Sequence, residues 1–226
     1  MIWLGIDTTT SWFSAALSTG DDLIVEHTTL LKRSMLKRGD EMLRYLFCDT
    51  GLEFKNIGGL AVGTGPGSYT GLRVGMGLAQ GLQLSLDIPF VGVKTSMVLA
   101  SYMPGYRRII VAQDAGRRTG HIVLSLYNGN GFPPEEIRPP TIVQPHEVAS
   151  WYTPGDALVG GAAERFVEML EDSIQTECNL SVSTQSIPRA SVIIRIGRQL
   201  HESGFGEDAA VPTGIYLTEP PKPASA

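Results

Sequence analysis

The chain has 226 residues and a mass of 24.4 kDa, with 42% hydrophobic and 18% charged residues. Apolar content at that level excludes a disordered chain, and a core of this size needs no metal or disulfide staple. The net charge of −5, from 18 basic and 23 acidic side chains, argues against a protein that holds nucleic acid by its own electrostatics. Cys48 and Cys178 lie far apart without metal-ligand spacing and are expected as buried free thiols. The chain opens as a strand, with no basic leader or cleavage site. Its most apolar segment, 72–86, carries Arg73, Gln80 and Gln83 and is too short to span a bilayer. A soluble cytoplasmic protein is the expectation.

In chain order, short apolar runs at 2–6, 14–18 and 23–29 are separated by turn residues and predict an antiparallel meander. Ser34 is placed to cap a helix over 34–49, with Met35, Leu36, Met42, Leu43, Leu46 and Phe47 at helical spacing and Gly51 beyond its end. A buried strand at 59–62 leads into a glycine-rich stretch and a helix over 71–86. A strand at 90–93 and a helix at 95–102 follow. Two more strands are predicted at 109–113 and 121–127. Residues 128–140, rich in Gly, Pro and Asn, predict a loop or hinge. Beyond it come a strand near 157–159 and helices at 163–173 and 191–203. The proline-rich tail, 218–226, is expected to be disordered. No internal repeat shows at solenoid periods. Antiparallel strands followed by helix–strand alternation predict an α/β architecture with helix-covered sheets.

Three places are candidates for chemistry. Gly63-Thr-Gly65-Pro-Gly67-Ser68-Tyr-Thr-Gly71 lies between a strand and a helix, where backbone N–H groups favour an anion. It lacks the lysine of a Walker A loop, the third glycine of a dinucleotide fingerprint and the flanking glycines of a nucleophile elbow. Its other reading is a tight turn that brings the next helix close. Asp7, Thr8, Thr9 and Thr10 form a turn that either holds a phosphate or a magnesium-bound water, or bonds its own backbone. Asp114, Arg117 and Arg118 either bind an anion or pair across a loop. The four histidines are isolated from one another, so neither a metal site nor a protease site is assembled. The helix over 71–86 holds Gly71, Gly75, Gly77 and Gly81, each costing about 0.8–1 kcal/mol relative to alanine. That deficit must be recovered by contacts, and a helix–helix interface with a partner is the expected source. Leucine at Gly75 or Gly81 is then expected to abolish pairing and leave the monomer folded.

These residues carry a resemblance. The opening LGIDTTT, the stretch LAVGTGPGSYTGLRVGMGLAQGL with IPFVGVKT, the segment QDAGRRTGHIVLSLY and the closing VPTGIYL resemble the bacterial TsaB (YeaZ) family of the actin-like ATPase superfamily. The resemblance implies an actin-like (ribonuclease H-like) α/β fold: a mixed sheet covered by helices, with an N-terminal lobe over 1–100 and a reduced second lobe over 101–217. It implies a non-catalytic subunit in making N6-threonylcarbamoyladenosine at position 37 of ANN-decoding tRNAs. The implied partners are the catalytic TsaD paralogue and a TsaE-type ATPase, with tRNA met only indirectly and a weak homodimer when alone. No intrinsic cofactor or metal is implied; ATP or ADP would belong to the complex. The implied partner face is Met35, Met42, Leu43, Leu46, Gly71, Arg73, Gly75, Leu78, Gly81 and Leu82. Residues near a phosphate or nucleotide would be Asp7, Thr8, Thr9, Thr10, Gly65, Gly67 and Ser68. The chain departs from the family's H-S-x-x-L-L-P in its first helix, where it reads Met35-Leu-Lys-Arg-Gly39-Asp40-Glu-Met-Leu43. The alternative is a compact actin-like ATPase or phosphotransferase, supported by Asp7, the glycine loop and LVGGAAERF. Against it stand the short chain and the lack of a second conspicuous acidic residue.

Overall fold

The computed structural model describes residues 1–31, 39–48, 50–114, 121–174, 179–204, 214, 215 and 217. Two five-stranded mixed sheets share one strand order. In the first, β1 (Ile2–Asp7), β2 (Trp12–Thr19) and β3 (Asp22–Leu30) form the antiparallel meander. β4 (Ile57–Gly63) and β5 (Phe90–Val93) join β1 in parallel, giving the order β3-β2-β1-β4-β5. In the second, β6 (Ile109–Asp114), β7 (Ile122–Asn128) and β8 (Glu135–Val143) repeat the meander. β9 (Ala157–Val159) and β10 (Ser181–Ser183) add in parallel, and the order is β10-β9-β6-β7-β8. The repeat that composition hid is therefore topological. The second sheet matches the first in strand number. Its reduction lies in the three-residue β9 and β10, and in a 3-10 turn over Pro145–Ser150 where the first lobe has a helix.

Helices cover both sheets: α1 (Gly39–Phe47), α2 (Tyr69–Leu86), α3 (Thr95–Ala100), α4 (Ala163–Ile174) and α5 (Ala190–Glu202). Ser68 caps α2, its Oγ accepting from the Gly71 N–H at 3.2 Å, and Asp87 ends the helix with φ of 51°. Alternation along β1 sends Leu4 and Ile6 to Leu43, Leu46, Leu60, Met76 and Ala79 beneath α1 and α2. Trp3 points the other way, to Val91, Val93, Ile193, Ile194 and Ile196 beneath α5. β6 does the same in the second sheet. Ile110 and Ala112 meet Phe166 and Leu170 of α4, while Ile109 and Val111 meet Leu99 of α3.

Three expectations are corrected. The segment 128–140, read as a loop, contains most of β8, whose prolines Pro139 and Pro140 are tolerated because it is an edge strand. Cys48 is free but exposed, in the turn after α1, while Cys178 lies outside the described residues. The helix α5, assigned with 101–217 to the second lobe, lies on the first sheet instead. Polar anchors hold it there. Glu26 of β3, its side chain 4% exposed, accepts from Arg189 Nε at 2.9 Å and from Ser191 N and Oγ at 3.0 Å. Ser14 Oγ accepts from Ala190 N at 2.9 Å. Glu26→Ala is expected to cost about 2–3 kcal/mol, since charged hydrogen bonds to a helix start are lost while Arg189 stays half-solvated. An unchanged urea midpoint would show that the apolar contacts of α5 suffice. The tail 218–226 lies outside the described residues.

Candidate functional site

Strand β1 ends at Asp7, and the chain turns through Thr8, Thr9 and Thr10 into β2. The Asp7 carboxylate is fully buried. Its Oδ1 accepts from Thr9 N at 2.9 Å and Thr9 Oγ1 at 3.0 Å. Its Oδ2 faces Thr9 Oγ1 at 3.1 Å and Thr95 Oγ1, at the start of α3, at 3.5 Å. Burial pushes its pKa up to about 7, and these hydrogen bonds offset part of that rise. Thr9 and Thr95 hydroxyls lie 3.0 Å apart, and Thr95 closes onto the glycine loop: Gly65 N donates to Thr95 Oγ1 at 3.1 Å and Thr95 N to Gly65 O at 2.8 Å.

The glycine signature lies directly on this turn. A Cβ at Gly63 would overlap Asp7 Oδ2, one at Gly67 the Thr9 carbonyl oxygen, one at Gly71 the Thr8 carbonyl oxygen, and one at Gly75 the Thr8 hydroxyl. Gly71 and Gly75, one helical turn apart in α2, meet the turn on one face, while Gly63 at the end of β4 and Gly67 in the loop meet it from the side of the sheet. Ser68 N donates to Thr9 O at 2.6 Å, and Thr8 Oγ1 to Gly71 O at 2.6 Å. Gly65 adopts φ of +91°, which favours glycine. The loop is covered in turn by Gln113, whose Nε2 donates to Pro66 O at 3.0 Å, and by Ile215, whose N–H donates to Thr64 O at 2.7 Å.

Most of the expected phosphate residues are engaged by the chain itself, while Gly67 and Ser68 stay exposed at the start of α2. Asp7, Thr8 and Thr9 are buried, Thr10 Oγ1 accepts from Trp12 N, Gly65 is bonded to Thr95, Gly67 lies against Thr9, and Ser68 caps α2. Of the two readings of the signature, a tight turn that brings the helix close is the one the geometry realises. The Asp7 carboxylate and the Thr8 and Thr9 side chains are occupied within the turn and buried from solvent.

The expected partner face divides. Leu43 and Leu46 are core residues, and Gly71 and Gly75 are seated on Thr8; these four assignments are corrected. Met42, Leu78 and Leu82 are half-buried against the same core, with Leu78 in close contact with Gly39 of α1. Arg73 and Gly81 point outward, as does Gly77, and nothing lies within 4 Å of where a Cβ on Gly77 or Gly81 would sit. Met35 lies outside the described residues. The sequence reading missed Leu84, 79% exposed on α2, and Tyr45, 68% exposed on α1. Their signal was available: both project from amphipathic helices away from the apolar stripe.

A second carboxylate also appears. Asp114 ends β6 as Asp7 ends β1, in the equivalent place of the repeated sheet. It is exposed and paired with Arg165 Nη1 at 2.9 Å. Arg117 and Arg118 lie outside the described residues. Among the described residues no group of three His, Cys, Asp or Glu is placed to hold a metal, and no helix is long and apolar enough to cross a membrane.

Comparison with known proteins places this geometry. Residues 29–184 match the family model of the tRNA N6-adenosine threonylcarbamoyltransferases (TsaD). The tRNA threonylcarbamoyladenosine biosynthesis protein TsaB of Escherichia coli K12 is 36% identical over 149 residues, which is 62% of this chain and 63% of that relative, so the match spans under two thirds of its length. TsaB of Bacillus subtilis is 29% identical over 202 residues, 88% of each chain. In structure, YeaZ from Pseudomonas aeruginosa superposes with a TM-score of 0.77 at 23% identity, covering 96% of this chain and 99% of that one. A second Pseudomonas aeruginosa structure, of an uncharacterized protein similar to peptidase YEAZ, reaches 0.80 at 22% identity with the same coverage. Two lobes of one repeated topology, the glycine signature folded onto the Asp7 turn and these likenesses agree: the chain has the actin-like fold and belongs to the tRNA N6-adenosine threonylcarbamoyltransferase family, with the TsaB (YeaZ) proteins.

Proposed function

We propose that the chain is the non-catalytic accessory subunit of the bacterial complex that makes N6-threonylcarbamoyladenosine at position 37 of ANN-decoding tRNAs, paired with a catalytic TsaD-type paralogue. The observation that carries this reading is the engagement of the Asp7 turn and glycine loop by their own side chains and by α2. A phosphate would have to compete with every one of those contacts. The likeness to the TsaB relatives supports the same reading. Nucleotide belongs to the assembled complex, and tRNA, repelled by a net charge of −5, is met through the partner. A TsaE-type ATPase joins the pair, and no protease site takes part. The alternative, a compact ATPase or phosphotransferase, asks for two free carboxylates at the strand ends. Asp7 is walled in, and Asp114 is held by Arg165.

The docking face is the outward side of α2, with Arg73, Gly77, Gly81 and Leu84. Its bare glycines let a partner helix approach, and Leu84 supplies apolar area to bury. Without the partner this face pairs weakly with a second copy. Leu84→Glu is expected to weaken pairing tenfold or more and leave the monomer's melting temperature unchanged, because the carboxylate is harmless in water and costly once desolvated. The deciding experiment is threonylcarbamoylation of tRNA reconstituted with the organism's own TsaD-type protein, with and without this chain. Product that requires this chain supports the proposal; full activity without it overturns it.

A further inference from the structure

We propose that the turn of Asp7, Thr8 and Thr9 is a proton-linked seat for α2: with Asp7 neutral it holds the first half of the helix, and ionisation of Asp7 loosens it. The turn and the helix are one packed unit. Thr8 presents its carbonyl oxygen to Gly71 and its hydroxyl to Gly71 O and Gly75, while Thr9 O receives Ser68 N, so three consecutive points of the helix start rest on two residues. Asp7 fixes Thr9 through its N–H and Oγ1, and Thr8 is held between the two in the chain.

Among the described residues no cation pairs with the Asp7 carboxylate. Opposite Asp7 lie Ser14 across β2, Gly63 on β4 and Thr95 on α3, none of them ionisable in the accessible range. Tyr102, beyond the end of α3, is an ionisable side chain near enough for the Asp7 charge to oppose its ionisation. Lys94, next to Thr95, is held by both oxygens of Glu136 at 2.7 Å. Arg189 is engaged by Glu26. A neutral carboxyl can donate its hydrogen to one of the Thr9 and Thr95 hydroxyl oxygens, which lie 3.0 Å apart. An ionised one must stay charged with hydroxyl and amide donors alone, in a site closed to water. The cheapest relief is to admit water by lifting α2 from the turn, because the helix contributes glycines rather than interlocking side chains on that side. Since α2 also carries the proposed docking face, the seat would make pairing pH-dependent; that last step rests on the functional reading above, whereas the seat itself does not.

Hydrogen exchange of the isolated full chain tests the seat independently of any partner. After correction for intrinsic rates, peptides from 69–86 are expected to open more readily than those from 122–128 at every pH. Their opening constant should rise about tenfold per pH unit from 5 to 7 and level off above 7. In Asp7→Asn the slope should vanish. Should that variant not fold, Thr8→Val is read at pH 5: it is expected to lose α2 protection, with Thr8→Ser behaving as wild type. The proposal is overturned by a slope retained in Asp7→Asn, by wild-type opening that is flat with pH, by equal opening constants for α2 and 122–128, or by wild-type α2 protection in Thr8→Val.

Discussion

Alanine at Gly71 is expected to destabilise the protein by about 3 kcal/mol, whereas alanine at Gly77 or Gly81 should stabilise it by roughly 0.5–1 kcal/mol. Each change favours helix on propensity alone, less so in the first turn at Gly71 than at the interior Gly77 and Gly81, so a sign reversal of this size measures what lies beyond the helix. At Gly71 the new methyl overlaps the Thr8 carbonyl oxygen, a backbone atom in a buried turn that has nowhere to go. At Gly77 and Gly81 it enters open space. For a chain of this size the shifts are about 2–4 °C in melting temperature per kcal/mol, well within the reach of calorimetry. Equal stabilisation at all three positions would mean that α2 does not rest on the turn. The expectation that leucine at Gly75 abolishes pairing in an intact monomer is corrected on the same ground: Gly75 faces the Thr8 hydroxyl, so that variant would unseat α2 itself. Gly81→Leu remains the clean probe of the docking face.

Asp7→Asn is expected to stabilise the fold at pH 8 and to make little difference near pH 4. The sign follows from the raised acidity constant. In the unfolded chain Asp7 ionises near its ordinary value of 3.8, and in the folded chain only near 7. Between these values the unfolded state sheds a proton that the folded state keeps, so raising the pH favours unfolding until Asp7 ionises in both states. The full penalty amounts to roughly 4 kcal/mol, an upper figure because water reaching the turn lowers it. Asparagine keeps one acceptor for the Thr9 amide, supplies a donor toward Thr95 and carries no charge. Other carboxylates give the wild type its own pH profile, so the quantity to measure is the difference between variant and wild type in urea unfolding at pH 4, 6 and 8. A difference that is flat across that range would show that Asp7 is ionised throughout at little cost. A protein that tolerates an uncompensated carboxyl at the base of its signature loop holds it against stability, and the proton-linked seat gives that tolerance a use.

Much of this was written in local sequence. The meander over β1 to β3, the four-residue β5, and helices α2, α4 and α5 follow from apolar periodicity and turn residues, because each is dominated by its own burial pattern. The segment β8 escaped because prolines and glycines argue for a loop, and only its position at a sheet edge makes them harmless. β10, three residues of Ser-Val-Ser, has no pattern to read and exists because β9 offers it an edge. The glycine signature could be seen as costly to a helix and therefore as demanding contacts. Whether those contacts lie within the chain or across an interface was beyond reach, since glycine says that something comes close and not what. Sequence by itself determined most of the elements, the family and the candidate residues: Asp7, the threonines and the glycines. Tertiary structure decided how they are shared out. It set Gly63, Gly67, Gly71 and Gly75 on the Asp7 turn and left Gly77 and Gly81 facing outward, and it returned α5 to the first sheet. Those outcomes depend on which surfaces meet over separations of sixty to nearly two hundred residues, and packing at that distance leaves no periodic trace in the chain.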